Sequence, residues 1–129
     1  PMPHVRDLTL EFVRDAARDV AEAHGLDLVV LFGSAARDGF AQARDVDLAV
    51  VAGAGAAHLA DGAWGREFRL YDAFARRLGT GAVDVVEADR ASELLQAHVA
   101  RDGVPVYERR SGVFDGFRRD AERRFEETL

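Results

Sequence analysis

The sequence predicts an α/β fold in one compact domain. A continuous apolar run of strand length, two further strand-like segments with alternating faces, and amphipathic stretches between them carry that reading. With 129 residues and 48% hydrophobic side chains, the chain can bury a real core. Leu10, Val13, Ala17, Val20 and Ala21 recur at helical spacing, which predicts a helix from about Thr9 to His24 with Gly25 as its stop. Leu28 to Phe32 is apolar throughout, as expected of a strand buried on both faces. It ends at Gly33-Ser34, and a short polar, glycine-punctuated stretch leads on to Arg44. Asp45 to Val51 reads as a second strand, with Val46, Leu48 and Val50 facing one way and Asp45, Asp47 and Ala49 the other.

Gly53 and Gly55 mark a loop, after which a long helix is expected over His58 to Leu78. Its expected core stripe is Trp64, Phe68, Tyr71, Ala75 and Leu78, while Gly62 and Gly65 weaken its first turns. Gly79 to Gly81 breaks the helix, and Ala82 to Glu87 follows as a third strand. There Val83 and Val85 share one face, Asp84 and Val86 the other. Ser92 to Arg101 reads as a short helix, Val104 to Tyr107 as a small last strand, and Gly112 precedes a final helix to about Glu127. Phe114, Phe117, Ala121 and Phe125 line that last helix, which favours packing on its own domain over docking a partner.

Composition removes several function classes. All 17 basic residues are Arg, so a Schiff base or a P-loop lysine is excluded. Against 23 acids they leave a formal charge of −6, which disfavours a nucleic-acid partner, since phosphate neutralisation needs a clustered basic surface. There is no cysteine, hence no disulfide or thiolate chemistry. No apolar run approaches the roughly 20 residues of a membrane span, and no signal-peptide layout opens the sequence, so no membrane partner and a cytoplasmic location are expected. His4, His24, His58 and His98 share no metal-ligand spacing.

Three features point to chemistry. Gly33-Ser34 follows a buried strand, where glycine lets backbone approach a ligand and free N–H groups favour an anion. Asp45-Val46-Asp47 puts two carboxylates on one strand face, about 7 Å apart along the backbone. Like charges so close repel unless a cation neutralises them, and all-oxygen ligation suits Mg²⁺ or Mn²⁺. Asp84 is a single acid within an apolar strand, either an edge-strand acid or one that is paired, bound to metal or exposed at a cleft; the residues alone leave both readings open.

Gly33-Ser34, ten residues, then Asp45-Val46-Asp47 resembles the signature of the nucleotidyltransferase superfamily related to DNA polymerase beta. The short chain is similar to the minimal nucleotidyltransferase (MNT) domains, and Leu94 to Glu108 is similar to that family's closing helix and strand. The resemblance spans about residues 26–108, within a single domain of residues 1–129 that adds a C-terminal helix at about 113–127. It implies a polymerase beta-like fold, a small mixed sheet with flanking helices. It implies two Mg²⁺ ions (or Mn²⁺) held by Asp45, Asp47 and Asp84, with Asp84 orienting or deprotonating the acceptor. Gly33, Ser34 and Arg37 would contact the phosphates of ATP, the substrate. Arg44 stands where the family usually has Ser. MNT proteins often occur as antitoxins of HEPN–MNT pairs, so the implied activity is transfer of AMP to a tyrosine of a HEPN-type toxin partner. Two alternatives accompany it: a non-catalytic antitoxin that neutralises by complex formation, and a small-molecule nucleotidyltransferase.

Overall fold

The computed structural model describes residues 4–59 and 63–128 of the chain. Within them a helix, α1 (Leu10–His24), leads into strand β1 (Leu26–Phe32), a short helix α2 (Gly33–Asp38) and strand β2 (Val46–Ala52). Helix α3 (Ala63–Leu78), strand β3 (Val83–Glu87), helix α4 (Glu93–Asp102), strand β4 (Val104–Glu108) and helix α5 (Val113–Thr128) complete the order. The local reasons are ordinary ones. The Thr9 hydroxyl accepts from the Phe12 N–H at 3.1 Å and starts α1. Gly25, at φ 72°, ends it in the left-handed conformation that closes helices. Ser92 does for α4 what Thr9 does for α1, accepting from the Leu95 N–H at 3.1 Å.

The four strands form one mixed sheet in the order β3-β2-β1-β4. β1 pairs antiparallel with both β2 and β4, whereas β2 and β3 run parallel, joined by the α3 crossover. One face of the sheet, through Leu26, Val29, Leu31, Val46, Leu48, Val50, packs against α1 and α3. The other, through Leu28, Val30 and Ala49, packs against α4 and α5. This is the polymerase beta-like mixed sheet expected above, with β1 buried on both faces and the alternation in β2 and β3 as read. Phe114 and Ala121 of α5 are buried, and the helix packs against α4. Among the described residues no helix is long and apolar enough to cross a membrane.

The structure corrects four expectations. The polar stretch after Gly33-Ser34 holds α2 and a 3-10 turn at Phe40–Gln42; α2 has six residues, too few for a periodic signal, and is pinned by buried Ala35. Asp45 lies just before β2 rather than in it. The helix expected from His58 is a 3-10 segment at Ala54–Leu59 and then α3, with Gly62 outside the described residues. The core stripe of α3 is also different. Its buried residues are Leu70, Phe74 and Leu78, whereas Phe68 is 61% exposed. Tyr71 and Ala75 are partly buried, and the Trp64 side chain lies outside what is described. At about 100° per residue, Phe68 points roughly 200° away from Leu70. The helix turns its i, i+4, i+8 residues Leu70, Phe74 and Leu78 inward and leaves Phe68 outside.

Candidate active site

The acids that the sequence singles out meet at one end of the sheet. Parallel pairing sets Asp47 opposite Asp84, and antiparallel pairing sets Phe32 opposite Asp47. With neighbouring strands about 4.8 Å apart, the two carboxyls sit side by side. Val46 and Leu48 are fully buried on the far face, so β2 cannot rotate Asp47 away without exposing them. Asp84 lies on an edge strand and is exposed; Asp45 is exposed ahead of β2. Asp84 is thus an edge-strand acid that also borders a cleft.

Electrostatics follow from this crowding. Burial pushes the Asp47 carboxyl above its ordinary value, and the neighbouring charges of Asp84 and then Asp45 push it further. A hydrogen bond shared with Asp84 acts in the same direction, and the Arg37 guanidinium opposes it. Arg37, in the last turn of α2, thus stands within electrostatic reach of the acids.

Gly33 is required by this packing. Its φ of 72° is one that other residues rarely adopt, and a Cβ there would overlap the Asp47 carboxylate. The chain turns there from β1 into α2, and no side chain caps that helix start, so Ser34 and its neighbouring N–H groups stay available.

Among the described residues, no three His, Asp or Glu side chains converge closely enough to form a metal cage. The donor set still fits Mg²⁺ or Mn²⁺. Such ions are commonly held by one or two carboxylates, with water and substrate phosphate completing the shell. Crowded acids that raise the Asp47 pKa are the signature of a site where added positive charge is favourable.

Two cavities flank the acids. One, of about 260 Å³, is lined by Phe32, Gly33, Arg37, Leu95, His98 and Asp102. The other, of about 250 Å³, lies between α3 and β3 and is lined by Glu67, Phe68, Tyr71, Val83, Asp84 and Val85. His98 and Asp102 were not legible as cavity residues. Their i, i+4 spacing on α4 is the one local signal that they share a face. His4 and His98 are exposed, and the His58 side chain lies outside the described residues.

Sheet order, the crossover and the position of the Gly-Ser turn ahead of the acidic strand define a protein with the polymerase beta-like nucleotidyltransferase fold. The chain belongs to the family described as "Polymerase beta, Nucleotidyltransferase", which matches residues 17–111. No curated protein sequence matches it. Among solved structures, a chain of a toxin–antitoxin complex with AMP-PNP is 23% identical, over 89% of this chain and 88% of that chain, at TM-score 0.70. A chain of the toxin–antitoxin complex MntA–HepT is 20% identical over 92% and 88%, at TM-score 0.67. A chain of the tri-AMPylated Shewanella oneidensis HEPN toxin in complex with MNT antitoxin is 20% identical over 93% and 89%, at TM-score 0.69. At these identities the likeness is one of fold.

Proposed function

We propose that this protein is the MNT antitoxin of a HEPN–MNT pair and transfers AMP from ATP to a tyrosine hydroxyl of its HEPN-type toxin. The observation that carries the reading is the meeting of Asp47 and Asp84 in parallel register, with Asp45 close by, in front of the Gly33-Ser34 turn. Family membership and the toxin–antitoxin complexes among structures of the same fold support it. A cytoplasmic location, where ATP and a toxin meet, belongs to the same proposal.

In this reading Asp45, Asp47 and Asp84 hold two Mg²⁺ ions. When bound, the ions neutralise the triphosphate and acidify the acceptor hydroxyl. The Gly33 and Ser34 N–H groups and the Ser34 hydroxyl donate to phosphate oxygens, and Arg37 adds a charged donor from the end of α2. Gly33 lets the phosphates approach the backbone beside Asp47, where a side chain would not fit. Asp84, open at the sheet edge, orients the acceptor hydroxyl and takes its proton. The acceptor oxygen then bonds to the α-phosphorus and pyrophosphate leaves.

The test is intact-mass analysis after the protein, a HEPN-type toxin, ATP and Mg²⁺ are mixed. The expected result is a toxin carrying added AMP, and no adduct with Asp47→Ala. Absence of the adduct with the native chain, both proteins being folded, overturns the enzymatic reading. Neutralisation of the toxin that survives Asp45→Ala and Asp47→Ala would instead mark a binding antitoxin.

A further inference from the structure

We infer that the cleft where β2 and β3 begin is a binding site for a phosphate-type anion, with Arg6 and Arg44 as its charged donors. The site is separate from the acids and does not rest on the group-transfer reading.

The cleft has a volume of about 350 Å³, and His4, Arg6, Gln42, Arg44, Thr80 and Ala82 are among its lining. That is room for a small ligand. Three segments meet there, each held by the core or the sheet. Val5 and Leu8 are buried on either side of Arg6, and the Leu8 N–H donates to the Val5 carbonyl at 3.0 Å, closing a 3-10 turn over Val5–Asp7. The 3-10 turn at Phe40–Gln42, ahead of β2, packs against that first turn. The Val46 N–H donates to the Ala82 carbonyl at 2.9 Å, which ties the approach to β3 onto β2. The donors therefore stand on backbone fixed before any ligand arrives, which spares an ordering cost.

Charge distinguishes this cleft from others on the molecule. The chain carries a formal charge of −6, yet no carboxylate lines the cleft. Clefts beside α3, beside α4, around Gly25 and around Glu87 each include at least one. The acids nearest in sequence are engaged elsewhere. Asp7 accepts from the His4 backbone N–H at 3.2 Å, and Asp45 acts on the Asp47 carboxyl. Arg44 stands just before these acids, but the guanidinium that opposes them is Arg37, and Arg44 lines the cleft with Arg6. Among the described residues neither Arg6 nor Arg44 has an ion-pair partner. Arg18, Arg66, Arg76 and Arg77, by contrast, each meet a carboxylate. Two unpaired guanidiniums on one concave surface repel each other, and an anion between them relieves that repulsion.

Thr80 narrows the class of anion. It is buried, and its hydroxyl oxygen accepts from the Ala82 N–H at 3.2 Å, which leaves the O–H free to donate. The two oxygens of a carboxylate are filled by one guanidinium fork. A phosphate or diphosphate presents more oxygens and takes both forks and the hydroxyl together. Pyrophosphate, the leaving group of the proposed transfer, is one such ion.

The test is NMR titration with inorganic pyrophosphate, in buffer freed of divalent metal by chelating resin so that no metal ion bridges the anion to the acids. Saturable shifts are expected at the Gln42, Thr80 and Ala82 amides. Arg6→Gln and Arg44→Gln should each weaken the fitted Kd about tenfold, and Arg37→Gln should leave it unchanged. Malonate, a dianion with carboxylates alone, should bind about tenfold more weakly than pyrophosphate. No saturable shift, shifts centred on Gly33 and Ser34, or a Kd unmoved when Arg6 and Arg44 are both replaced by Gln overturns the site. Malonate binding as tight as pyrophosphate overturns the phosphate assignment. AMP transfer is read separately by intact mass, so loss of either result leaves the other standing.

Discussion

Asp47 shows how a residue proposed for the active site can work against the stability of its own fold. Its carboxyl is pushed up by burial and by Asp84 and Asp45, so the folded chain holds that proton more tightly than the unfolded chain does. The stabilisation it brings is present in full below the unfolded value, near 3.8, and is lost as the pH rises through the folded-state value. At neutral pH the charged form is therefore a cost. Asp47→Asn is expected to raise the metal-free Tm at pH 7 by about 2–5 °C, discounted for partial exposure, and to lose that advantage below about pH 3.8. Mg²⁺ should raise the Tm of the native chain more than that of the variant. Calorimetry with and without Mg²⁺ checks both, and an Asn variant less stable than the parent at pH 7 would contradict the charge argument. The face of Asp47 was legible because period two is a local rule, although Asp45 lies just before the strand. The pairing of Asp47 with Asp84 was not, because it depends on strand register set by side chains dozens of positions away.

At the scale of elements, legibility followed the strength of the local pattern. β1 was plain, since the short apolar run Leu28 to Leu31, ended by Gly33, suits a strand buried on both faces. α2 was invisible because six residues hold too little periodicity. α3 was legible as a helix but misread in rotation: tertiary packing selected Leu70, Phe74 and Leu78 and left Phe68 outside. The same helix supplies a contact that no spacing rule reveals. Arg66 binds Glu87 of β3 at 2.9 Å, and the Glu87 side chain is only 2% exposed, with Arg90 a further 3.7 Å partner. Removing Arg66 strands most of a buried charge, which is more damaging than never having buried the pair. Arg66→Ala should lower the Tm several-fold more than Arg76→Ala, whose pair with Asp72 is largely exposed and worth about 1–2 °C or less. Equal effects in thermal melts would show that the α3–β3 bridge carries no special weight.

For the molecule as a whole, the mixed sheet joins two kinds of pairing with different demands on the chain. The Phe32–Asp47 contact closes 15 positions of sequence, whereas Asp47–Asp84 closes 37 and requires the α3 crossover. Loop-closure entropy alone makes the second about 0.8 kcal/mol harder. Pairing of β1 with β2 should therefore precede docking of β3 during folding. Pulse-labelled hydrogen exchange should find β1 and β2 amides protected before those of β3, and the reverse order would refute it. The consequence concerns timing. Asp45 and Asp47 are together from the start, but Asp84 arrives only when the parallel β2–β3 pairing closes. A chain that is still folding, or has locally opened at β3, carries every acidic residue and no assembled site. The parallel pair thereby acts as a checkpoint, and the proposed chemistry waits on the docking of β3.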